Sequence, residues 1–298
     1  MPAAADGCRV DARVKPEHDG GWGEREEIEV QFARINDATI HYQVIGAPAD
    51  RPVIVFANSL GTDFRIWRDV VVQLAGEFAI VLYDKRGHGL SDVGRLPCSI
   101  EDHATDLAGL LDLLSVKDAV ICGLSVGGLI AQSLYQRRPG LVRALILCDT
   151  AHKIGTSESW NARIAAVEKN GIGSIVDAVM ERWFTSAFRR PENTAYSGYC
   201  NMLTRQPVEG YVAACAAIRD ADFTEAAKAI TVPTICIVGD QDGSTPPDLV
   251  LSTAKLIPGA RYEVIPDCAH IPCVEQPEAL TAIIRAFLTS IPPGENSP

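Results

Sequence analysis

Five continuous apolar runs constrain this chain most: PVIVFAN (52–58), FAIVLYD (78–84), AVICGLS (119–125), ALILCD (144–149) and TICIVGD (234–240). Each has the length of a strand, and none alternates with polar residues, so both faces of each strand must be covered. Helical patterns lie between them. In residues 99–115, Ser99 and Asp102 form a capping-box start, and Ile100, Ala104, Leu107, Leu111 and Leu114 share one face. Pro277 opens a last helix with Leu280, Ile284 and Phe287 inward. IEVQFARI and ATIHYQVI read as two further strands joined by a turn at Asn36-Asp37. Alternating strands and helices with buried strands predict an α/β fold with a mainly parallel sheet covered on both faces.

A length of 298 residues allows about two domains. The pattern argues instead for one core with an insertion. Residues 151–230 contain no buried-strand run but have helical stretches around 158–169, 174–187 and 207–219. So long a loop is improbable, and a helical cap over the carboxyl edge of the sheet is the simpler reading. The core is then 29–150 with 231–290. Residues 1–28 have no period and read as a tail, or as sequence upstream of a true start near Val30; 291–298 read as a C-terminal tail.

The nine cysteines are odd in number and include no C-x-x-C pair, and several sit inside apolar runs; this fits reduced thiols in a cytoplasmic setting. Cys268 and Cys273 flank His270, but no second ligand pair at zinc spacing accompanies them, so no metal is expected. A net charge of −11 argues against nucleic acid or an anionic membrane as partner, and no window of about 18 apolar residues predicts a membrane span.

The chemistry concentrates at Gly123-Leu124-Ser125-Val126-Gly127, a G-x-S-x-G preceded by a buried strand and followed by a helix. That context makes Ser125 the candidate nucleophile on a sharp turn, with small neighbours that let backbone approach. A serine hydroxyl needs a base. In the chain order for this arrangement the acid precedes the histidine and both follow the serine. Only His152 and His270 follow Ser125, and His270 lies between the last expected strand and the last helix, at the same sheet edge. It is the candidate general base. His152 reads first as a partly exposed loop histidine and is also a candidate for lining the cap entrance. The acid belongs in the loop after TICIVGD, where Asp240 and Asp242 both qualify. Asp242 stands deep enough in that loop to reach the imidazole, whereas Asp240 reads better as a turn residue. The oxyanion hole needs two backbone N–H groups, one from Val126 and one from the loop 58–61, where Leu60 is favoured.

With these residues in hand, the chain resembles the α/β-hydrolases. YDKRGHGLSD (83–92) is similar to the D-x-R-G-x-G-x-S segment of many members, and GDQDGSTPP (239–247) to the family's G-x-x-D-x-x-T-P acid loop, which supports Asp242. Within the superfamily, FANSLGTDFRIW (56–67), ICGLSVGGLIAQ (121–132), LCDTAHKIGTSESWNARIAAV (147–167) and ERWFT (181–185) resemble the 3-oxoadipate enol-lactonases of aromatic catabolism. Asn58-Ser59 replaces the His-Gly common at the oxyanion loop elsewhere. The resemblance implies an α/β-hydrolase fold: a mostly parallel eight-stranded sheet with helices on both faces and a helical cap inserted after the sixth strand. It also implies hydrolysis of a small anionic enol lactone to 3-oxoadipate through an acyl-enzyme, without a cofactor. The substrate's carboxylate calls for a local cation. Arg163, with Trp160 packing nearby, and Arg182 are candidates, and Ser59 is a further candidate contact. General carboxylesterase or C–C bond hydrolase activity would use the same triad, and a non-catalytic ligand receptor could retain it.

Overall fold

The computed structural model describes residues 29–47 and 51–291. The tail expected at 1–28 with its Cys8, and nearly all of that expected at 291–298, lie outside the described residues. Within them the strands are β1 (Glu29–Ile35), β2 (Ala38–Ile45), β3 (Val53–Ala57), β4 (Ala79–Tyr83), β5 (Ala119–Leu124), β6 (Val142–Cys148), β7 (Thr234–Gly239) and β8 (Arg261–Ile265). The helices are α1 (Arg68–Leu74), α2 (Ile100–Leu113), α3 (Val126–Arg137), α4 (Ser157–Asn170), α5 (Val176–Trp183), α6 (Thr194–Thr204), α7 (Val208–Asp220), α8 (Thr224–Lys228), α9 (Pro247–Leu256), α10 (Pro272–Glu275) and α11 (Pro277–Ser290).

One sheet runs β1-β2-β4-β3-β5-β6-β7-β8, antiparallel at β1/β2 and β2/β4 and parallel from β4 to β8. The five apolar runs are its interior: β3, β4, β5 and β7 are buried at every position and β6 at all but Arg143. The edge strand β8 exposes Arg261, Glu263 and Val264 instead, which is why no buried run marks it in the sequence. The hairpin turn takes Asn36 at φ 53°, a left-handed conformation that asparagine tolerates, and pairs Ile35 with Ala38. Helix α2 starts at a complete capping box on Ser99 and Asp102, and α11 buries Leu280, Ile284 and Phe287.

Strand β3 lies between β4 and β5, so the chain moves one way along the sheet and then back past its starting point. The loops leaving β3 and β5 therefore open a crevice at their carboxyl ends, where a ligand can enter without unpairing a strand. Between β6 and β7 come five helices, α4 to α8. Three match the expected stretches. Helices α6 and α8 do not. The first, TAYSGYCNMLT, buries only Leu203 and has no clear apolar stripe; its start is set by the Asn193 side chain accepting from the Ala195 N–H. The second has five residues, too few for a period.

Candidate active site

Ser125 is the turn between β5 and α3 and holds φ 58°, ψ −118°, a conformation that costs a serine roughly 1–3 kcal/mol. Its surroundings over-determine it. The Ser125 N–H donates to the Cys148 carbonyl at 3.0 Å, and its own carbonyl accepts from Thr150 Oγ1 at 2.6 Å and the Gly128 N–H at 2.8 Å. Two glycines make the turn possible by close approach: a Cβ at Gly127 would stand 2.1 Å from the Ala57 carbonyl oxygen, and one at Gly123 2.3 Å from that of Gly127. The Val126 N–H, the first of α3, has no acceptor among the described residues and is free to bond a ligand beside the hydroxyl.

His270 sits between β8 and α10 and is 2% exposed. Its Nδ1 lies 2.9 Å from Asp242 Oδ2. Asp242 also accepts from the Ser244 N–H (2.7 Å), the Thr245 N–H (3.1 Å) and Thr245 Oγ1 (2.7 Å). Burial pushes this carboxyl up, but the imidazole and these donors outweigh burial and hold it below its ordinary value. An ionised carboxylate only accepts, so the His270 proton belongs on Nδ1 and the lone pair on Nε2. Asp240, the other candidate acid, instead accepts the Cys268 N–H at 3.1 Å and steadies the backbone of the histidine loop.

Ser125 and His270 open into one pocket of about 280 Å³, which Ser59, Leu60, Arg163 and Arg182 also line. The Leu60 N–H has no acceptor among the described residues. The Arg163 guanidinium lies 4.7 Å over the Trp160 ring, whose Nε1 donates to the Ile154 carbonyl. Burial and the neighbouring Arg163 charge lower the pKa of Arg182. Neither arginine forms an ion pair with a carboxylate among the described residues. The pocket thus joins a serine, an oriented imidazole and two uncompensated cations.

His152 stands half-buried in the loop after β6. It does not line this pocket. Its backbone N–H and Nδ1 both lie on Thr253 Oγ1 of α9, at 3.1 and 2.9 Å, and its carbonyl accepts the Phe223 N–H. These contacts join the exit of β6 to α8 and α9.

Three neighbours carried no sequence signal. Asp149 is buried against the Asp242–His270 pair, the ligand atoms of all three lying within 4.8 Å of one another. Burial and then the Asp242 charge push its carboxyl well up, which favours its neutral form, and Asp242 already accepts four hydrogen bonds. The donor set is therefore committed to hydrogen bonds rather than arranged as open metal ligands. Glu275 accepts from the Thr185 N–H and Oγ1 and from the Ala269 N–H. Lys85, buried in the YDKRGHGLSD segment, donates to the Ser59 carbonyl. Cys268 and Cys273 beside His270 are buried free thiols whose pKa values burial pushes up.

The model of the family described as the alpha/beta hydrolase fold matches residues 52–277. The chain is 35% identical over 253 residues to 3-oxoadipate enol-lactonase 1 of Acinetobacter baylyi, covering 85% of this chain and 94% of that protein. It is 32% identical to 3-oxoadipate enol-lactonase 2 of the same organism, at the same coverage. The crystal structure of the enol-lactonase from Burkholderia xenovorans LB400 superposes with a TM-score of 0.84 at 35% identity, covering 87% of this chain and all of that one.

Proposed function

The chain belongs to the alpha/beta hydrolase fold family and, within it, to the 3-oxoadipate enol-lactonases; from that premise we propose that it hydrolyses 3-oxoadipate enol-lactone to 3-oxoadipate with Ser125, His270 and Asp242 as its triad. Ser125 Oγ attacks the lactone carbonyl carbon while His270 Nε2 takes its proton. Asp242 fixes the imidazole and stabilises the imidazolium. The Leu60 and Val126 N–H groups hold the oxyanion, an interaction worth about 3 kcal/mol per donor. Collapse of the tetrahedral intermediate breaks the ring C–O bond. The enol oxygen leaves with the proton from His270 and tautomerises to the ketone. Water, deprotonated by His270, then attacks the acyl carbon and releases Ser125. Every proton moves among serine, histidine, substrate and water, so the reaction calls on no cofactor.

The observation that carries the substrate class is the pair Arg163 and Arg182, without acidic partners among the described residues, in the pocket that exposes Ser125 and His270. A cation so placed neutralises a free carboxylate on the substrate. Residues 151–230 act as the cap that supplies these arginines, over a core of 29–150 and 231–290. The free thiols and the soluble substrate suit a cytoplasmic enzyme. The test is loss of enol-lactone ultraviolet absorbance. The wild type should turn over the lactone far faster than simple esters, and Ser125→Ala should abolish turnover. Arg163→Ala should raise KM for the lactone at least tenfold and leave KM for a neutral ester within twofold. Preference for neutral esters over the lactone would instead identify a general carboxylesterase.

A further inference from the structure

A lysine is rarely buried without a carboxylate partner, and where it is, the charge has to be solvated by dipoles. Lys85, immediately after β4, is 1% exposed. Its Nζ donates to the Ser59 carbonyl at 2.6 Å and approaches the Thr62 carbonyl at 3.4 Å. It makes no ion pair with a carboxylate among the described residues. The Ser59 carbonyl does not need it: Thr62 Oγ1 already donates there at 2.9 Å. A methionine would fill the space without the cost of burying an ammonium. What distinguishes this carbonyl is its peptide unit. Its other end is the N–H of Leu60, a residue that lines the pocket with Ser125, and that N–H has no acceptor among the described residues.

We infer that Lys85 is a positioning residue for the oxyanion hole: by donating to the Ser59 carbonyl it holds and polarises the Ser59–Leu60 peptide, making the Leu60 N–H a stronger donor to the oxyanion. This rests on the reading of Leu60 and Ser125 under the proposed function. The physical basis is the cooperativity of hydrogen bonds through a peptide: a cation at the oxygen increases positive charge at the nitrogen-bound hydrogen. It also puts a fixed charge behind the place where negative charge develops, in a site with little water.

The groups around Nζ set the pH behaviour. Asp84 and Arg86 flank Lys85 in its own segment, as does His88; Asp63 faces it from the loop after β3, and His103 from α2. Burial pushes the ammonium down to about 7, against Asp84 and Asp63, which favour the charge. Burial and then the Lys85 charge push His88 well down and His103 to about 3, which disfavours a second cation beside Nζ. Loss of the Lys85 charge then weakens the donor as pH rises through 7.

The test compares Lys85→Met and Lys85→Arg with wild type and Ser125→Ala. Lys85→Met should lower kcat by 10- to 100-fold, keep KM within twofold, and weaken inhibition by an alkyl boronic acid by a matching factor, since the boronate adduct carries the oxyanion. Its thermal midpoint should equal or exceed that of the wild type, because a buried ammonium has been removed. Lys85→Arg, charged at all pH values, should recover activity and lose the wild-type fall in kcat near pH 7. A Lys85→Met enzyme with kcat within twofold of wild type overturns the inference, as does one whose boronate affinity is unchanged. If Lys85→Met does not fold, a fall near pH 7 that persists in Lys85→Arg overturns it. Activity that survives Ser125→Ala, or a wild type insensitive to the boronate, rejects the underlying site instead.

Discussion

Two buried carboxyls share the end of the sheet, and their surroundings drive them apart. Asp242 accepts from an imidazole, a hydroxyl and two N–H groups and is held charged. Asp149 accepts the Gly239 N–H at 2.9 Å and is pushed up by burial and then by the charge of Asp242. Their substitutions should therefore have opposite signatures. Asp242→Asn loses the acceptor that fixes the His270 tautomer, and kcat should fall by roughly 10³–10⁴ with KM little changed. Asp149→Asn keeps an oxygen for Gly239 and imitates the protonated acid. Folding raises the Asp149 carboxyl well above its ordinary value, so above about pH 4 the folded state binds more protons than the unfolded one and stability falls as pH rises. The asparagine removes that loss. At pH 7 Asp149→Asn should unfold at higher urea, by about 1–3 kcal/mol, and the advantage should shrink toward pH 4. A variant less stable at pH 7 than the wild type would contradict a neutral Asp149.

Between elements, the histidine loop is fastened to the helical insertion. The His270 N–H donates to the Trp183 carbonyl at the end of α5 (3.1 Å), and Glu275 of α10 accepts from Thr185 on one oxygen and from Ala269 on the other. Burial raises the Glu275 carboxyl against the pull of these donors. Glu275→Gln turns an amide NH₂ toward groups that themselves donate, which should cost about 1–3 kcal/mol. The base would then be less well placed, and kcat should fall about tenfold with faster hydrogen exchange at Ala269 and His270. Unchanged kcat together with faster exchange would separate the fastening from catalysis. This contact also marks the limit of sequence reading. Ser125, Asp242 and His270 were legible because each ends a strand or follows one in a fixed chain order. Helices α4, α5 and α7 were legible from their apolar spacing, whereas α6 lacked a stripe and α8 lacked length. The clamps on Lys85, Glu275 and Asp149 were not legible, because each joins residues far apart in sequence. A lysine between aspartate and arginine looks like solvated charge until a loop closes over it. For His152 the chain position left the side chain's partner open, and that partner is Thr253, about a hundred residues away in sequence.

At the scale of the molecule, an anionic substrate meets a chain of net charge −11, and attraction must be local while repulsion is global. The two have different ranges. Spread over a sphere of roughly 25 Å radius, that charge repels a univalent anion by about 1 kcal/mol at 10 mM salt and by about half as much at 100 mM. The Arg163 and Arg182 contacts act over a few ångströms within a walled pocket, where screening by salt is weak. Salt should therefore remove more repulsion than attraction. Between 10 and 100 mM sodium chloride, kcat/KM for the enol lactone should rise about twofold, while that for a neutral ester stays flat. Replacing both arginines by alanine should lower kcat/KM for the lactone without changing the direction of the salt effect, since the global charge remains. A fall in kcat/KM with salt in the wild type, abolished in the double variant, would mean that the arginine field reaches beyond the pocket mouth and steers the anion in against the charge of the whole chain.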